Sequence, residues 1–586
     1  MNNRLTNDGN NNDGFICGVV EGFYGRPWTF EQRKDLFMRL REMKLNSFMY
    51  APKDDSKHRA KWRQLYSEPE ARELRNLIID AKANGIDFYY SLAPGLDIIY
   101  SDSCEVDLLL RKYDQLCELG CESFAILFDD IEPTINDKDR GVFKNYASAQ
   151  ISVTNVIFEH LKRPKFLFCP TEYCESRAVP NVINSDYLNT LGTGLMGGID
   201  IMWSGSRVIS RVITVESIET LTKVIKRPPV IWENLHANDY DKKRIFLGPY
   251  SGRSTKIIPK LRGVLTNPNC EYEANYIAIH TLSQWSKCTE DINLHNRCHT
   301  EQRLARGNMT SFDQISDNIY DPFRALAIAI RDWLPHVHKD RSLPIGVNLT
   351  TQLKHRSDDS GSEQLVNEVG TDAIDVEESN VEMVPDETRS SATSMSTNRS
   401  EMDASSSPAQ MNLAETNSCD SCDMRDAPES GNKESEPPQI GAIPIDCVMC
   451  SESKTQKPSV LGRSSVGAGE LVNFDNLSIL VDLFFLPFEH GPCGYALLRD
   501  FKWLRDNSDI IVSDNLLNQQ GKDTRMNEGS FPGTINQTIA MWSSRADKLN
   551  DLCTCVSRLV NTLIVSLKIH LSDLSLATDL LTSATI

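Results

Sequence analysis

The sequence predicts an α/β protein: a (β/α)8 TIM barrel followed by an α-helical stalk, with a disordered acidic linker interrupting the stalk. Three observations carry this expectation. Eight apolar, β-rich runs recur from Phe15 to about Trp285, with successive starts 31 to 42 residues apart. Helix-patterned segments separate most of those runs. One 96-residue stretch holds most of the negative charge and none of the aromatic rings.

The strand candidates are FICGVVEGFYG from Phe15, SFMYAP from Ser47, DFYYSLAPG from Asp87 and SFAILFDD from Ser123. They continue with KFLFCPTEY from Lys165, GIDIMWSG from Gly198, PVIWENLHAND from Pro229 and RGVLTNPN from Arg262. Each is rich in β-branched or aromatic residues and bounded by Gly, Pro, Asn or Asp. Between them lie helical patterns such as TFEQRKDLFMRLREMK, EARELRNLIIDAKANG and VESIETLTKVI. In the first, Thr29 is placed to cap and Gln32 follows three residues on, the spacing of a capping box. Eight strand–helix units imply a parallel sheet that closes, and about 250 residues suit such a barrel. A doubly wound open sheet is the alternative, but no GxGxxG follows the first strand.

A polar tail is expected over 1–13, the catalytic barrel over 14–300, the start of the stalk over 301–345, the linker over 346–466 and the remaining stalk over 467–586. The helical signals of the stalk are DPFRALAIAIRDWLPHV before the linker and LSILVDLFF, YALLRDFKWLRD and RADKLNDLCTCVSRLVNTLIVSLKIHLSDL after it.

Charge locates the linker. The chain has 62 Lys+Arg against 81 Asp+Glu, a net of -19, which argues against nucleic-acid binding through a basic field. From Thr351 to Asp446 there are 21 acidic and 6 basic residues, and none of the chain's 45 Phe, Trp and Tyr. So little apolar area cannot offset chain entropy of roughly 1 to 2 kcal/mol per residue. The other 490 residues carry a net of only -4.

No membrane segment is expected. The apolar stretch LSILVDLFFLPF is interrupted by Asp482 and falls short of the roughly 20 residues a span needs. The N-terminal MNNRLTNDGNNNDG has no apolar run, so neither signal peptide nor anchor is expected. Sixteen cysteines are read as reduced thiols, and the compartment as cytosol or nucleus. The pairs Cys419/Cys422 and Cys447/Cys450 have the form of a zinc ribbon, but the span between them is long and carries no aromatic cover. They are read as chance cysteines.

A barrel carries its function at the C-terminal ends of its strands. Those ends hold Glu21, Lys53, Asp54, Asp55, Asp129, Asp130, Glu172, Tyr173, Trp232, Glu233, Asn234, Asp239 and Asn267. The apolar AILF run ends in Asp129-Asp130. Successive strand side chains diverge, so the two carboxyls are expected in unlike environments, one able to hold a proton while the other stays charged. A helix cap, a metal site or a solvated loop remain open for the pair on the residues alone.

The strings GVVEGFYGRPW, YAPKDD, LAPGLD, FDDI, CPTEYC, IWENLHANDYD, FLGPY and LTNPNC, in this order and spacing, resemble the eukaryotic O-GlcNAcases of glycoside hydrolase family 84. The resemblance is dense from about Gly14 to Trp285. It resumes at LVNFDNLSILVDLFFLPFEHGP and LLRDFKWLRDNSDIIV, which look like that family's helical stalk. It fades near Leu563, and no counterpart of the acetyltransferase-like domain of longer relatives is found up to Ile586.

The resemblance implies retaining hydrolysis of N-acetylglucosamine from Ser and Thr of nuclear and cytoplasmic proteins, without metal or cofactor. The 2-acetamido oxygen of the substrate would be the nucleophile, passing through an oxazoline. By match to FDDI, Asp129 would orient the acetamido N–H and Asp130 would be general acid, then base. Gly22 and Lys53 match positions near the 3-hydroxyl, and Asp239 and Asn267 the pair on the 4- and 6-hydroxyls. Tyr173 would line the acetamido pocket, Asn234 sit beside the catalytic pair, and Trp232 form an apolar wall. The implied partners are O-GlcNAc-modified proteins and a second copy of the chain through the stalk.

Two other readings are a hexosaminidase on free glycans or hyaluronan, and a non-catalytic sugar-binding scaffold. Glu21, Asp54, Asp55 and Glu233 are expected to be structural hydrogen-bonding groups, and His236, His280 and His490 packing histidines.

Overall fold

A computed structural model describes residues 14–241, 244–293, 316–339, 472–509 and 533–567. The tail over 1–13, the acidic segment, both CxxC pairs and residues from 568 onward lie outside the described residues. The chain divides into two units, one of Met1–Leu343 with Ser459–Ile586 and one of Pro344–Pro458. The second lies wholly outside the described residues.

Each of the eight expected runs forms one strand: β1 (Ile16–Glu21), β2 (Ser47–Tyr50), β3 (Asp87–Leu92), β4 (Ser123–Leu127), β5 (Lys165–Cys169), β6 (Ile199–Trp203), β7 (Val230–Glu233) and β8 (Gly263–Thr266). They are parallel and close in sequence order, β8 pairing with β1 at Gly18 and Leu265. Outside them run α1 (Phe30–Glu42), α2 (Glu68–Ala83), α3 (Ser103–Glu118), the single turn α4 (Asp137–Arg140), α5 (Tyr146–His160), α6 (Asp186–Gly194), α7 (Val215–Ile225) and α8 (Tyr276–Ser286). The expected capping box is present at α1: Thr29 Oγ1 accepts the Gln32 N–H and Gln32 Oε1 accepts the Thr29 N–H. Between β7 and β8 a 3₁₀ turn (Thr255–Lys260) stands where an α-helix would. Pro259 inside it lacks the N–H that an α-helical ladder needs.

Period-two alternation sorts the strand residues into two cores. Ile16, Val20, Met49, Ala51, Ala125, Leu127, Leu167, Cys169, Val230, Trp232 and Leu265 fill the barrel. Their neighbours, among them Val19, Phe48, Tyr50, Phe124, Ile126, Phe168, Ile231 and Val264, face the helices.

Among the described residues four helices follow the barrel. α9 (Pro322–Lys339) packs on α8, α10 (Phe474–Leu483) and α12 (Gly533–Leu567) pack against α9, and α11 (Pro492–Asp506) packs on α10 and α12. Leu326, Ile330, Trp333 and Val337 recur at helical spacing and join Leu477, Leu480, Val481, Val556, Leu559 and Val560 in one core with the barrel's outer layer. The chain crosses between the two parts through backbone bonds as well. Leu247 N–H donates to the Phe484 carbonyl at 2.7 Å and Gly248 N–H to that of Phe485 at 2.6 Å. Among the described residues no helix is long and apolar enough to cross a membrane.

Candidate active site

Which strand-end residues face the barrel mouth follows from the same alternation. Gly22, Lys53, Asp129, Tyr173, Trp232, Asn234 and Asn267 continue the inward parity of Val20, Ala51, Leu127, Cys169, Val230 and Leu265. Glu21 and Glu233 have the outward parity and turn to the helix layer. Glu21 accepts Arg33 Nε and Nη2 at 2.7 and 2.8 Å, and Glu233 accepts Arg253 Nε and Nη2 at 2.6 and 2.8 Å. Both are structural, as expected. So is Asp55, which accepts the Tyr50 and Tyr66 hydroxyls at 2.9 and 2.7 Å. Asp54 departs from expectation: it is exposed on the turn and bonds to no other described residue.

Asp130 has the outward parity yet reaches the mouth. β4 ends at Leu127, and Asp130 takes a left-handed backbone with φ 51°. The two carboxyls therefore part because of this turn and not because of strand alternation, which corrects the sequence argument. A short polar side chain tolerates that conformation better than a branched one.

The two aspartates meet unlike partners. Asp129 Oδ2 accepts Lys53 Nζ at 2.5 Å, with the side chains only 10% and 2% exposed. Asp129 Oδ1 is buried without a hydrogen-bond partner. Burial would raise this carboxyl, but the charge and hydrogen bond of Lys53 outweigh burial and hold it below the ordinary range. Lys53 is held protonated in turn: burial would lower it, and Asp129 and Asp130 raise it by more. Asp130, 26% exposed, accepts the Tyr24 hydroxyl at 3.1 Å, the Tyr173 hydroxyl at 3.0 Å and an Arg177 N–H at 3.5 Å. Burial raises both phenols above their usual value, so they remain donors.

The neutral residues form one connected set. Gly22 N–H donates to Asn267 Oδ1 at 3.1 Å, and Asn267 Nδ2 to Asn234 Oδ1 at 3.0 Å. The same Asn234 oxygen accepts Trp232 Nε1 at 3.0 Å, while Asn234 Nδ2 donates to the Val208 carbonyl. Asn234 spends its amide on Trp232, Asn267 and Val208 and bonds neither aspartate directly. Asp239 Oδ2 accepts the Tyr24 N–H at 2.9 Å, and burial raises its carboxyl. Lys53 Nζ lies 5.8 Å from the Trp232 ring and 5.7 Å from the Tyr24 ring. All nine residues singled out in the sequence thus meet at one mouth.

Four neighbours were missed. Tyr24 links Asp239 to Asp130 and lies inside the string GVVEGFYGRPW, so its place two residues after Gly22 could have found it. Arg59 donates to the Tyr24 hydroxyl at 3.0 Å, and Arg177 stacks over Tyr173 at 4.6 Å. Arg59 comes from a loop 35 residues from Tyr24, and Arg177 from a short turn 47 residues from Asp130. His58 is buried, its Nδ1–H donating to the Ser91 carbonyl at 2.7 Å, and burial pushes it down to about 4. Among the described residues no group of three His, Cys, Asp or Glu could hold a metal ion.

A buried, ion-paired carboxylate beside a more open one, over a wall of amides and an indole, suits a neutral, N-acylated sugar and one proton transfer. The β-N-acetylglucosaminidase (NAGidase) family matches residues 17–315. Protein O-GlcNAcase of Mus musculus is 40% identical over 583 residues, covering 92% of this chain and 61% of its own length. The Rattus norvegicus protein of the same name matches at 40% over the same shares. The chain thus spans about three-fifths of those relatives. A solved O-GlcNAc hydrolase mutant of Thermobaculum terrenum is 27% identical, covering 56% of this chain and 78% of that one with a TM-score of 0.46. From its match over 17–315, the chain belongs to the β-N-acetylglucosaminidase family.

Proposed function

We propose that the protein is a retaining β-N-acetylglucosaminidase that removes O-linked N-acetylglucosamine from Ser and Thr of nuclear and cytoplasmic proteins. The observation that carries this is the state of Asp129: an ionised carboxyl pinned at one oxygen by Lys53, with its other oxygen buried and lacking a donor. An acetamido N–H is the donor that fits. A neutral amide proton satisfies that oxygen, and its developing positive charge in the transition state is met by a fixed negative one.

The acetamido carbonyl oxygen then attacks C1 from within the same molecule, where proximity supplies several kcal/mol. Asp130 gives its proton to the glycosidic oxygen, the C1–O bond breaks and an oxazoline forms, still protonated at nitrogen, its N–H and positive charge held against Asp129. Water adds at C1 as Asp130 takes a proton back, and the oxazoline opens with the configuration retained. Gly22 and Lys53 serve the 3-hydroxyl, Asp239 and Asn267 the 4- and 6-hydroxyls, while Tyr173 lines the acetamido pocket, Asn234 stands beside the catalytic pair and Trp232 forms an apolar wall.

The residues 14–300 are the catalytic part in this reading, 301–345 and 467–586 the stalk, and 346–466 a linker. Two copies pair through the stalk, an inference supported by exposed Tyr495 and Leu498 at helical spacing on α11 and by exposed Met541 on α12. Sedimentation of the full chain should give a dimer.

Incubation with an aryl β-N-acetylglucosaminide and with an O-GlcNAc peptide, following the first-formed anomer by NMR, tests the reading. Release of the β-anomer from both supports it. Release of the α-anomer, or from free glycans but not the peptide, contradicts it, and release from neither leaves a sugar-binding scaffold.

A further inference from the structure

Arg59 engages Asp130 at two points. Its Nη2 donates to the Asp130 carbonyl at 3.3 Å, the only donor that carbonyl has among the described residues, and its Nη1 donates to the Tyr24 hydroxyl at 3.0 Å. That phenol oxygen, already accepting, turns its own proton to Asp130 Oδ2 at 3.1 Å. One planar fork thus holds the backbone of Asp130 directly and its carboxyl through Tyr24.

Such a clamp has a task at this residue. The backbone of Asp130 is left-handed, with φ 51°, a region that an L side chain enters at a cost and keeps only where its surroundings fix it. Tyr173 fixes one carboxyl oxygen but not the backbone. Arg59 starts from a fixed point, since the residue before it is tied twice to the end of β3. His58 Nδ1–H donates to the Ser91 carbonyl at 2.7 Å, and the His58 carbonyl accepts the Ala93 N–H at 3.0 Å.

We propose that Arg59 is a positioning residue for the general acid, keeping Asp130 in the left-handed turn that aims its carboxyl at the glycosidic oxygen. This rests on the hydrolase reading above.

Arg59 also acts on Asp129, which is held down against burial first by Lys53 and then by the Arg59 charge. A loss by that route falls on every substrate alike, because acetamido attack is needed in each. A loss through Asp130 falls where the leaving oxygen needs a proton.

The test uses the full chain, an O-GlcNAc peptide and an activated aryl N-acetylglucosaminide, with thermal melts alongside. Arg59→Gln should lose about thirtyfold in kcat/KM on the peptide, the worth of a hydrogen bond to a charged group, and no more than about threefold on the aryl substrate. Arg59→Lys should show the same split, because an ammonium keeps the charge but does not span the carbonyl and the hydroxyl together. Tyr24→Phe, which removes the relayed arm alone, should show a smaller split in the same direction, and it decides the matter if the Arg59 variants melt below the assay temperature. Equal losses on both substrates, no loss, or a loss that Arg59→Lys restores overturns the clamp. Asp130→Ala, run in parallel, separates the two claims. A split there without one in Arg59→Gln overturns the role of Arg59 while the hydrolase reading stands, and no split in Asp130→Ala overturns both.

Discussion

Lys53 Nζ sits 2.5 Å from Asp129 Oδ2, while the other oxygen of that carboxyl is buried with no hydrogen-bond partner. The pair sets a pH dependence. Asp129 lies below its ordinary value, so its contribution to stability is present above about pH 4 and lost as pH falls through the lower folded value. In Lys53→Met the main compensation for burial is lost and the carboxyl moves up. The acidic limb of kcat/KM on an aryl N-acetylglucosaminide should then shift to higher pH, with activity near neutrality down about a hundredfold. A pH profile checks this, and an unmoved limb would count against the pairing.

Gly22 is required by its neighbour. A Cβ there would stand 2.2 Å from Trp232 Cζ2, and the indole cannot swing away without breaking its bond to Asn234. Gly22→Ala should raise KM about tenfold and cost about 1 to 3 kcal/mol of stability. Steady-state kinetics with a thermal melt would show both.

The stalk latches the loop that carries Asp239. Gly248 N–H donates to the Phe485 carbonyl, and the Gly248 carbonyl accepts His236 Nε2–H at 2.9 Å. A Cβ on Gly248 would meet the Phe485 carbonyl oxygen at 2.6 Å, a backbone atom that cannot yield cheaply. Gly248→Ala should lower the melting temperature and raise KM more than it lowers kcat. A change in the melt alone would mean that the latch is structural only.

Arg253 and Glu233 form a pair that is 0% and 1% exposed. Removing one partner strands a buried charge, so Arg253→Met should cost about 3 to 5 kcal/mol in denaturant unfolding. Replacing both partners by apolar residues should restore part of that, because neither faces the mouth.

Much of this was legible in the chain. Strand positions such as Val19-Val20 and Phe124 to Leu127 declare themselves because a barrel strand is apolar on both faces. Thr29 and Gln32 declare a helix start through local chemistry. The inward set Gly22, Lys53, Asp129, Trp232 and Asn267 follows from counting by twos from buried neighbours. What was not legible depends on backbone turns and distant partners. The left-handed Asp130 breaks the count, and the 3₁₀ turn at Pro259 replaces a helix. Arg177 and Arg59 reach Asp130 and Tyr24 from loops with no periodicity. His58 was passed over because its burial comes from tertiary packing.

The division of labour between the aspartates is tested most directly by the leaving-group dependence of Asp130→Ala. Across aryl N-acetylglucosaminides and an O-GlcNAc peptide, the variant should lose on the order of 10² to 10⁴ in kcat/KM where the leaving oxygen needs a proton and far less on the most activated aryl substrate. Equal losses on all substrates would contradict the assignment of Asp130 as the proton donor.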